Sequence, residues 1–315
     1  MSGVSNLSAS DRPTIRTRVY VDGYNLYYGC LRKTPYKWLD LKALFECILA
    51  QTLYELGGEP AQFELDGLAI EYFTAPILKN FARASDSVAC QAGYHNALRG
   101  HLGPGLSIIE GYYAAEPARA HRYEKGKPAR ECERIDIWKL VEKQSDVALA
   151  LHAYGDAVRG EVEHVVLVTN DTDVVPCLDL IRAHSSAAIG IIVPTRDQER
   201  SVNQDLSRRA DWTRSHIRDE ELAASQMPNM VKLNGHPIQK PVSWYPRPDL
   251  LEPILLEAIR VKKSKGAAFK WMNSACMHLD GQLPIDLAST EEGAEILRAY
   301  MANYAADFNI QGKDV

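Results

Sequence analysis

Four aspartates stand where the surrounding pattern lets them act together. Asp22 closes the apolar run Arg18-Val-Tyr-Val-Asp22 and is followed by Gly23-Tyr24-Asn25. Asp171 and Asp173 alternate just after the apolar run His164–Thr169, in Val168-Thr169-Asn170-Asp171-Thr172-Asp173. Asp146 opens a helical pattern in Val141-Glu142-Lys143-Gln144-Ser145-Asp146-Val147. Carboxylates gathered in one cleft repel one another and are costly unless a cation neutralises them. Oxygen-only ligands favour a hard ion, Mg²⁺ or Mn²⁺. Such an ion activates a water and stabilises charge on a phosphate oxygen during in-line displacement. Each acid alone also has an ordinary role. An Asp after a strand commonly caps a helix, and Asp171 and Asp173 could each cap the one that starts near Val174. The joint pattern points further, because a cap needs neither two acids at alternate positions nor a third acid closing the first strand.

The elements that must position these acids emerge from the apolar rhythm. Arg18–Asp22, Leu68–Thr74, Leu106–Tyr113, His164–Thr169 and Ala188–Val193 read as short strands. Leu39–Leu56, Ser85–Leu102, Ser145–Val158 and Val174–His184 read as helices, with Ser85 as an N-cap. Alternating apolar strands and helices predict an α/β fold with a parallel sheet covered on both faces. Ligands then sit outside the carboxyl ends of the strands, which is where the acids fall. Residues 1–16 are polar and Ser-rich and read as a disordered tail. The segment 227–248 carries five prolines and reads as an extended strap. Residues 249–315 read as a small all-α module.

Several ordered motifs resemble the NYN domains, LabA-like members of the PIN-like nuclease superfamily. They are Val19-Tyr-Val-Asp22-Gly-Tyr-Asn25, Trp38-Leu-Asp-Leu, Tyr72-Phe-Thr-Ala, Glu142-Lys-Gln-Ser-Asp146-Val, Val166-Leu-Val-Thr-Asn-Asp171-Thr-Asp173 and Gln239-Lys-Pro-Val-Ser-Trp244. The resemblance implies a PIN-like parallel sheet over residues 17–226. It also implies a hydrolase: a ribonuclease cleaving RNA phosphodiesters with Mg²⁺ or Mn²⁺ held by Asp22, Asp146, Asp171 and Asp173. Asn25 falls on the family's motif asparagine, and with Asn170 and Thr169 it is expected to support the acids. Asn170 stands where the family has Gly, and Thr169 where it has Ser. The alternative is a non-catalytic regulator binding RNA or a nucleotide in the same pocket.

Phosphate contacts to single-stranded RNA are expected from Arg119, Arg122, Lys125 and Lys127, with Lys143 as a point charge near the scissile group. Glu116, Glu124, Glu131 and Glu133 dilute that stretch, so a solvated surface is an equal reading. A second basic stretch holds Arg196, Arg200, Arg208, Arg209 and Arg214. Tyr24, Tyr27 and Tyr28 read mainly as core aromatics. Asp136 has no evident place. In the tail, Ala268-Phe-Lys-Trp271-Met, Leu279-Asp-Gly281-Gln-Leu-Pro284 and Thr290-Glu-Glu-Gly293 resemble the toxin-binding module of antitoxins that partner RES-domain toxins. That implies a protein partner or self-association, as in a toxin–antitoxin-related interaction protein; a plain helical bundle with a Gly-Gln-Leu-Pro turn is the other reading.

Composition bounds these readings. The chain has 315 residues, 46% hydrophobic and 24% charged, with a net charge of −5. This is globular composition and argues against binding nucleic acid through bulk positive charge. No apolar run approaches the ~20 residues needed to span a bilayer. Six scattered cysteines without a CxxC pair make a zinc site improbable and point to a reduced, cytoplasmic setting.

Overall fold

The computed structural model describes residues 13–56, 58–65, 67–196 and 201–311, with side chains described to residue 303. It divides into two units. Among the described residues, the first comprises those in 13–32, 39–227 and 231–238, and the second those in 33–38, 228–230 and 239–311.

The first unit is built on a seven-stranded sheet. Its strands are β1 (Thr14–Asp22), β2 (Gln62–Glu64), β3 (Ile70–Thr74), β4 (Leu106–Glu110), β7 (His164–Val168), β8 (Ala188–Ile192) and β9 (Trp212–Arg214). An antiparallel ribbon of β5 (Tyr112–His121) and β6 (Arg134–Lys143) stands apart from that sheet. The main order is β9-β8-β7-β1-β3-β4, with β2 beside the start of β1, and the pairs are parallel. Val21 lies level with Tyr72 on one side and Val168 on the other. β3, β7 and β8 are buried along their whole length, as expected of parallel strands covered on both faces. The expected parallel sheet flanked by helices, with helices after it in the chain, is the observed fold class.

The helices that matter for the site are α1 (Gly23–Leu26), α2 (Leu41–Ala50), α3 (Ser87–Leu102), α4 (Ser145–Arg159) and α5 (Val175–His184). Leu149 and Ala153 of α4 and Leu178 and Ile181 of α5 share a core with Val165, Leu167, Ile189 and Ile191 of the sheet. Beneath it lies a polar knot. Asp156 of α4 receives Arg18 Nη1 at 2.5 Å and the Tyr20 hydroxyl at 2.7 Å, and Arg159 bonds its other oxygen.

The sheet grows from β1 through β3 to β4 in one direction, then from β7 through β8 to β9 in the other. The order therefore reverses between β1 and β7. A crevice opens at such a point, beyond the carboxyl ends of the strands.

Two expectations are corrected. β1 begins at Thr14, inside the segment read as a tail, while residues 1–12 lie outside the described residues. The segment read as an extended strap contains a hairpin, Met230–Leu233 paired with His236–Gln239, turning at Asn234-Gly235 with φ of 50° and 81°.

The second unit is helical, with its longer helices at Pro248–Lys262, Lys265–Met272 and Glu291–Gln311. Leu251, Ile254, Ala258, Phe269, Met272 and Leu297 form its own core, and Trp271 stacks on Tyr300 at 5.8 Å. Ser264 caps the middle helix by accepting from Ala267 N at 3.0 Å. Among the described residues no helix is long and apolar enough to cross a membrane.

Candidate active site at the sheet's reversal point

Asp22 ends β1 at the reversal point and is 8% exposed. Its carboxylate caps α1, accepting from Asn25 N at 2.9 Å and from the Asn25 side-chain amide. Thr169 Oγ1, just beyond β7, donates to it at 3.1 Å. Burial pushes the Asp22 carboxyl above the ordinary range, and Asp171 adds to this, while the three hydrogen bonds pull the other way. The Asp171 carboxylate accepts from Asp173 N at 3.0 Å, and its own N–H donates to Thr169 Oγ1 at 3.1 Å. Asn25 and Thr169 thus hydrogen-bond the segments that carry the acids. Asn170 does not: it donates to Ser201 O at 3.4 Å and accepts from Asn203 N at 3.1 Å, fastening the next loop.

Asp146 sits in the first turn of α4. Its side chain is open to solvent on one side, yet partial burial and the charges of Asp22, Asp171 and Asp173 raise its carboxyl to about 6. The four aspartates therefore share one electrostatic neighbourhood.

Glu142, absent from the expected set, belongs there too. It lies at the end of β6, and the Ser145 hydroxyl donates to it. Burial raises its carboxyl to about 7, helped by Asp146 and Asp22 and opposed by that hydrogen bond. The signal was present in Glu142-Lys-Gln-Ser-Asp146, where the glutamate stands four positions before the aspartate.

An aromatic wall adjoins Glu142. Tyr113 of β5 is its register partner across the ribbon, a placement that brings the two Cβ atoms to about 5 Å. Tyr113 meets Tyr24 edge-on at 5.5 Å, and Tyr24 stacks on Tyr28 at 6.2 Å. The Tyr24 hydroxyl donates to Ala75 O at 2.7 Å, which fixes its ring. Arg32 lies over the Tyr28 ring at 5.6 Å. Tyr24, Tyr28 and Arg32 recur every fourth residue, so one face of the segment presents all three. From Tyr27 to Leu31 that segment winds as a π turn, with Arg32 N bonding Tyr27 O five residues back at 2.8 Å. Tyr27 and Tyr28 are 37% and 46% exposed, so they line an open surface and are not core aromatics.

The basic stretches lie elsewhere and are largely neutralised locally. Arg119 faces Asp136 at 3.2 Å and Arg122 faces Glu133 at 3.1 Å across the ribbon, which also places Asp136. Lys127 pairs with Glu124 at 3.1 Å, and Lys125 is exposed in the ribbon's turn. Lys143 is exposed at the end of β6. Arg196, Arg209 and Arg214 pair with Asp219, Asp179 and Glu221, and Arg208 with the Gln204 side chain. Arg200 lies outside the described residues.

Residues 258–305 match the family described as the antitoxin Xre/MbcA/ParS C-terminal toxin-binding domain, in line with the resemblance seen in the tail. Across 302 residues the chain is 47% identical to 6-hydroxy-3-succinoylpyridine 3-monooxygenase HspA of Pseudomonas putida, covering 94% of this chain and 96% of that protein. The chain belongs to the family of that enzyme. A crystal structure of a Vibrio parahaemolyticus protein of unknown function is 19% identical, with a TM-score of 0.38, covering 68% of this chain and 98% of that one.

Membership of the HspA family overturns the expectation of a Mg²⁺- or Mn²⁺-dependent ribonuclease. A monooxygenase is an oxidoreductase and not a hydrolase, so the nuclease class falls with it. The expected metal centre falls as well. Among the described residues no group of three or more His, Cys, Asp or Glu side chains converges to hold an ion. Asp22 and Asp171 spend their oxygens on helix caps and on Thr169 and Asn25, which is the ordinary role of an aspartate after a strand.

Proposed function

We propose that this chain is a monooxygenase acting on a hydroxylated pyridine that carries a carboxylic-acid arm, the type of substrate named for its Pseudomonas relative. The observation that carries this reading is 47% identity along nearly the whole of both chains. Monooxygenation places one atom of O₂ on the substrate and reduces the other to water, which consumes two electrons and two protons from a donor. In a 6-hydroxy-3-acylpyridine the hydroxyl is para to ring carbon 3. Loss of the hydroxyl proton pushes electron density onto that carbon, the position in the relative's name. Because it already bears the acyl arm, the C–C bond to the arm breaks as the C–O bond forms. The arm takes up water and leaves as a carboxylic acid, or leaves as an aldehyde with two further electrons and protons from the donor. The chemistry therefore needs a base that is ionised near neutrality and close to the hydroxyl. Glu142, at about 7, suits that task, and Asp146, at about 6, supports it. Glu142 takes the hydroxyl proton, and the Tyr24–Tyr113 wall holds the ring beside it.

Two finer readings accompany this one. The ordered motifs from Val19 to Trp244 support an NYN-type scaffold carrying this chemistry. The match over residues 258–305 supports a protein-docking role for the helical unit, through which the chain recruits a partner or a second copy. We place the chain in the cytoplasm: among the described residues, which include all six cysteines, no disulfide forms.

The test is incubation of the purified chain with 6-hydroxy-3-succinoylpyridine under ¹⁸O₂, with reduced nicotinamide as donor, with and without added flavin. The expected result is substrate-dependent oxygen uptake and one ¹⁸O atom in the ring product. No substrate-dependent uptake with either donor mixture overturns the reading.

A further inference from the structure

We infer that Arg32, held over the ring of Tyr28, anchors the carboxylate of an aromatic acid whose ring lies along Tyr24, Tyr28 and Tyr113 with its hydroxyl end at Glu142. This deepens the proposed function and rests on its substrate class.

The order of groups along the wall carries the argument. Glu142 faces Tyr113, Tyr113 abuts Tyr24, Tyr24 stacks on Tyr28, and Arg32 covers Tyr28. A carboxyl lies at one end, a guanidinium at the other, and aromatic surface lies between. A 6-hydroxypyridine with an acyl-acid arm at position 3 has the same order, because its hydroxyl and its arm are para. Only one orientation suits both ends. The acid arm is repelled by Asp22, Asp146, Asp171 and Glu142, and so must point away from them.

Arg32 also differs from most of the arginines. Arg18, Arg159, Arg196, Arg209, Arg214 and Arg218 each hold a carboxylate of this chain. Among the described residues no carboxylate lies within ion-pair distance of Arg32 or of Arg83. Both guanidinium groups are near enough to the Tyr27 hydroxyl to favour its anion against the effect of burial. Two cations without an acid therefore flank an exposed tyrosine pair. Guanidinium binds carboxylate through paired N–H donors in a fixed fork, and it can remain stacked on an aromatic face while doing so.

The test is calorimetric titration of the full chain with 6-hydroxy-3-succinoylpyridine and with its methyl ester, which keeps the ring and loses the charge. The wild type is expected to bind the acid more tightly than the ester. Arg32→Gln is expected to weaken the acid by ~10-fold or more, the range of a charge-assisted hydrogen bond, and to leave the ester unchanged. Arg32→Lys restores part of the loss, since the charge returns without the fork. Arg83→Gln has a smaller effect of the same kind. Circular dichroism checks that each variant is folded. Equal binding of acid and ester by the wild type, no binding of the acid, or an equal loss of both ligands in Arg32→Gln overturns the assignment. Turnover is scored separately. Arg32-dependent binding without oxygen transfer leaves the anchor standing and removes the proposed reaction, whereas oxygen transfer that ignores Arg32 does the reverse.

Discussion

Tyr113 and Glu142 are register partners at the base of the β5–β6 ribbon, so a phenol ring and a carboxyl held near neutrality occupy one face. Burial and the neighbouring Asp146 and Asp22 raise the carboxyl, and the same half-buried setting raises the Tyr113 phenol to about 12. A substrate hydroxyl placed there meets a proton acceptor and an aromatic surface together.

If Glu142 is the base, activity tracks its ionisation. Oxygen uptake with 6-hydroxy-3-succinoylpyridine should rise with pH through about 7 and then level off. Glu142→Gln should lower kcat/KM by ~10²–10⁴-fold and remove that limb. A Glu142→Gln profile that keeps both the rate and the limb would assign the base elsewhere.

The same carboxyl makes stability pH-dependent with a definite sign. Its folded-state pKa is raised, so between the ordinary glutamate range and about 7 the native state holds a proton that the unfolded chain has lost. Stability from this group is thus greatest at mildly acidic pH and falls as pH rises through that window. Glu142→Gln has no charge to bury. Its Tm should exceed that of the wild type at alkaline pH, by on the order of 2 °C, with the difference vanishing in acid. A difference that grows toward acid pH contradicts the sign.

Gly111 joins β4 to the ribbon where only hydrogen fits. A Cβ there would lie 2.3 Å from Lys143 O and 3.1 Å from Ser145 N, both backbone atoms. Gly111→Ala should cost ~1–3 kcal/mol. It should also speed amide exchange along Tyr112–His121 and weaken activity by displacing Tyr113 from Glu142. Gly93→Ala is the contrast. It lies in α3 with no atom outside that helix's own backbone within 4 Å of the added Cβ, and should stabilise by roughly 0.5–1 kcal/mol.

Asp156 ties β1 to α4 through Arg18, Tyr20 and Arg159, with its side chain 5% exposed and that of Arg18 13% exposed. Asp156→Asn strips the charge and leaves the Arg18 guanidinium poorly compensated, although Glu161 stands 3.7 Å away. Urea unfolding should show a loss of about 3–5 kcal/mol. Less than about 1 kcal/mol would mean that Glu161 takes over the pairing, an exposed arrangement worth about that much.

The central sheet was legible because its strands are continuous apolar runs. His164–Val168 and Ala188–Ile192 fall within a residue of the expected bounds. Helix α4 was equally clear from its spacing, Leu149, Ala153 and Ala157 facing inward. The β5–β6 ribbon was not, because it has no apolar face to bury. Its strands are mixed in charge, contain Pro117, and are held by cross-strand pairs such as Arg119–Asp136, which read as a basic loop diluted by acids. The hairpin at Asn234-Gly235 carried a strong turn signal that was outweighed by the surrounding prolines. At the site, the aspartates fall together at the sheet's reversal point, as their strand-end positions indicated. They did not disclose its chemistry, because strand-end carboxylates specify a place on a fold and not a reaction. Glu142 stood in view in the Glu142-Lys-Gln-Ser-Asp146 run, but its pairing with Tyr113 did not: the two are 29 positions apart in the chain, and only the ribbon's register joins them.

The π turn at Tyr27–Leu31 works as a rotary coupling. Were the same five residues to wind at α pitch, the downstream residues would swing by roughly 90° relative to Tyr24, because each α step turns about 100° and each π step about 80°. Arg32 would leave the face it shares with Tyr28, while Asp22, Glu142 and Tyr113, on other elements, stayed in place. The pitch of this turn therefore sets the bearing of Arg32 without touching the elements that carry Asp22, Glu142 and Tyr113. Gly29 limits such changes of pitch: a Cβ on it would lie 1.7 Å from the carbonyl oxygen of Pro194, so the turn winds only where that contact stays bare.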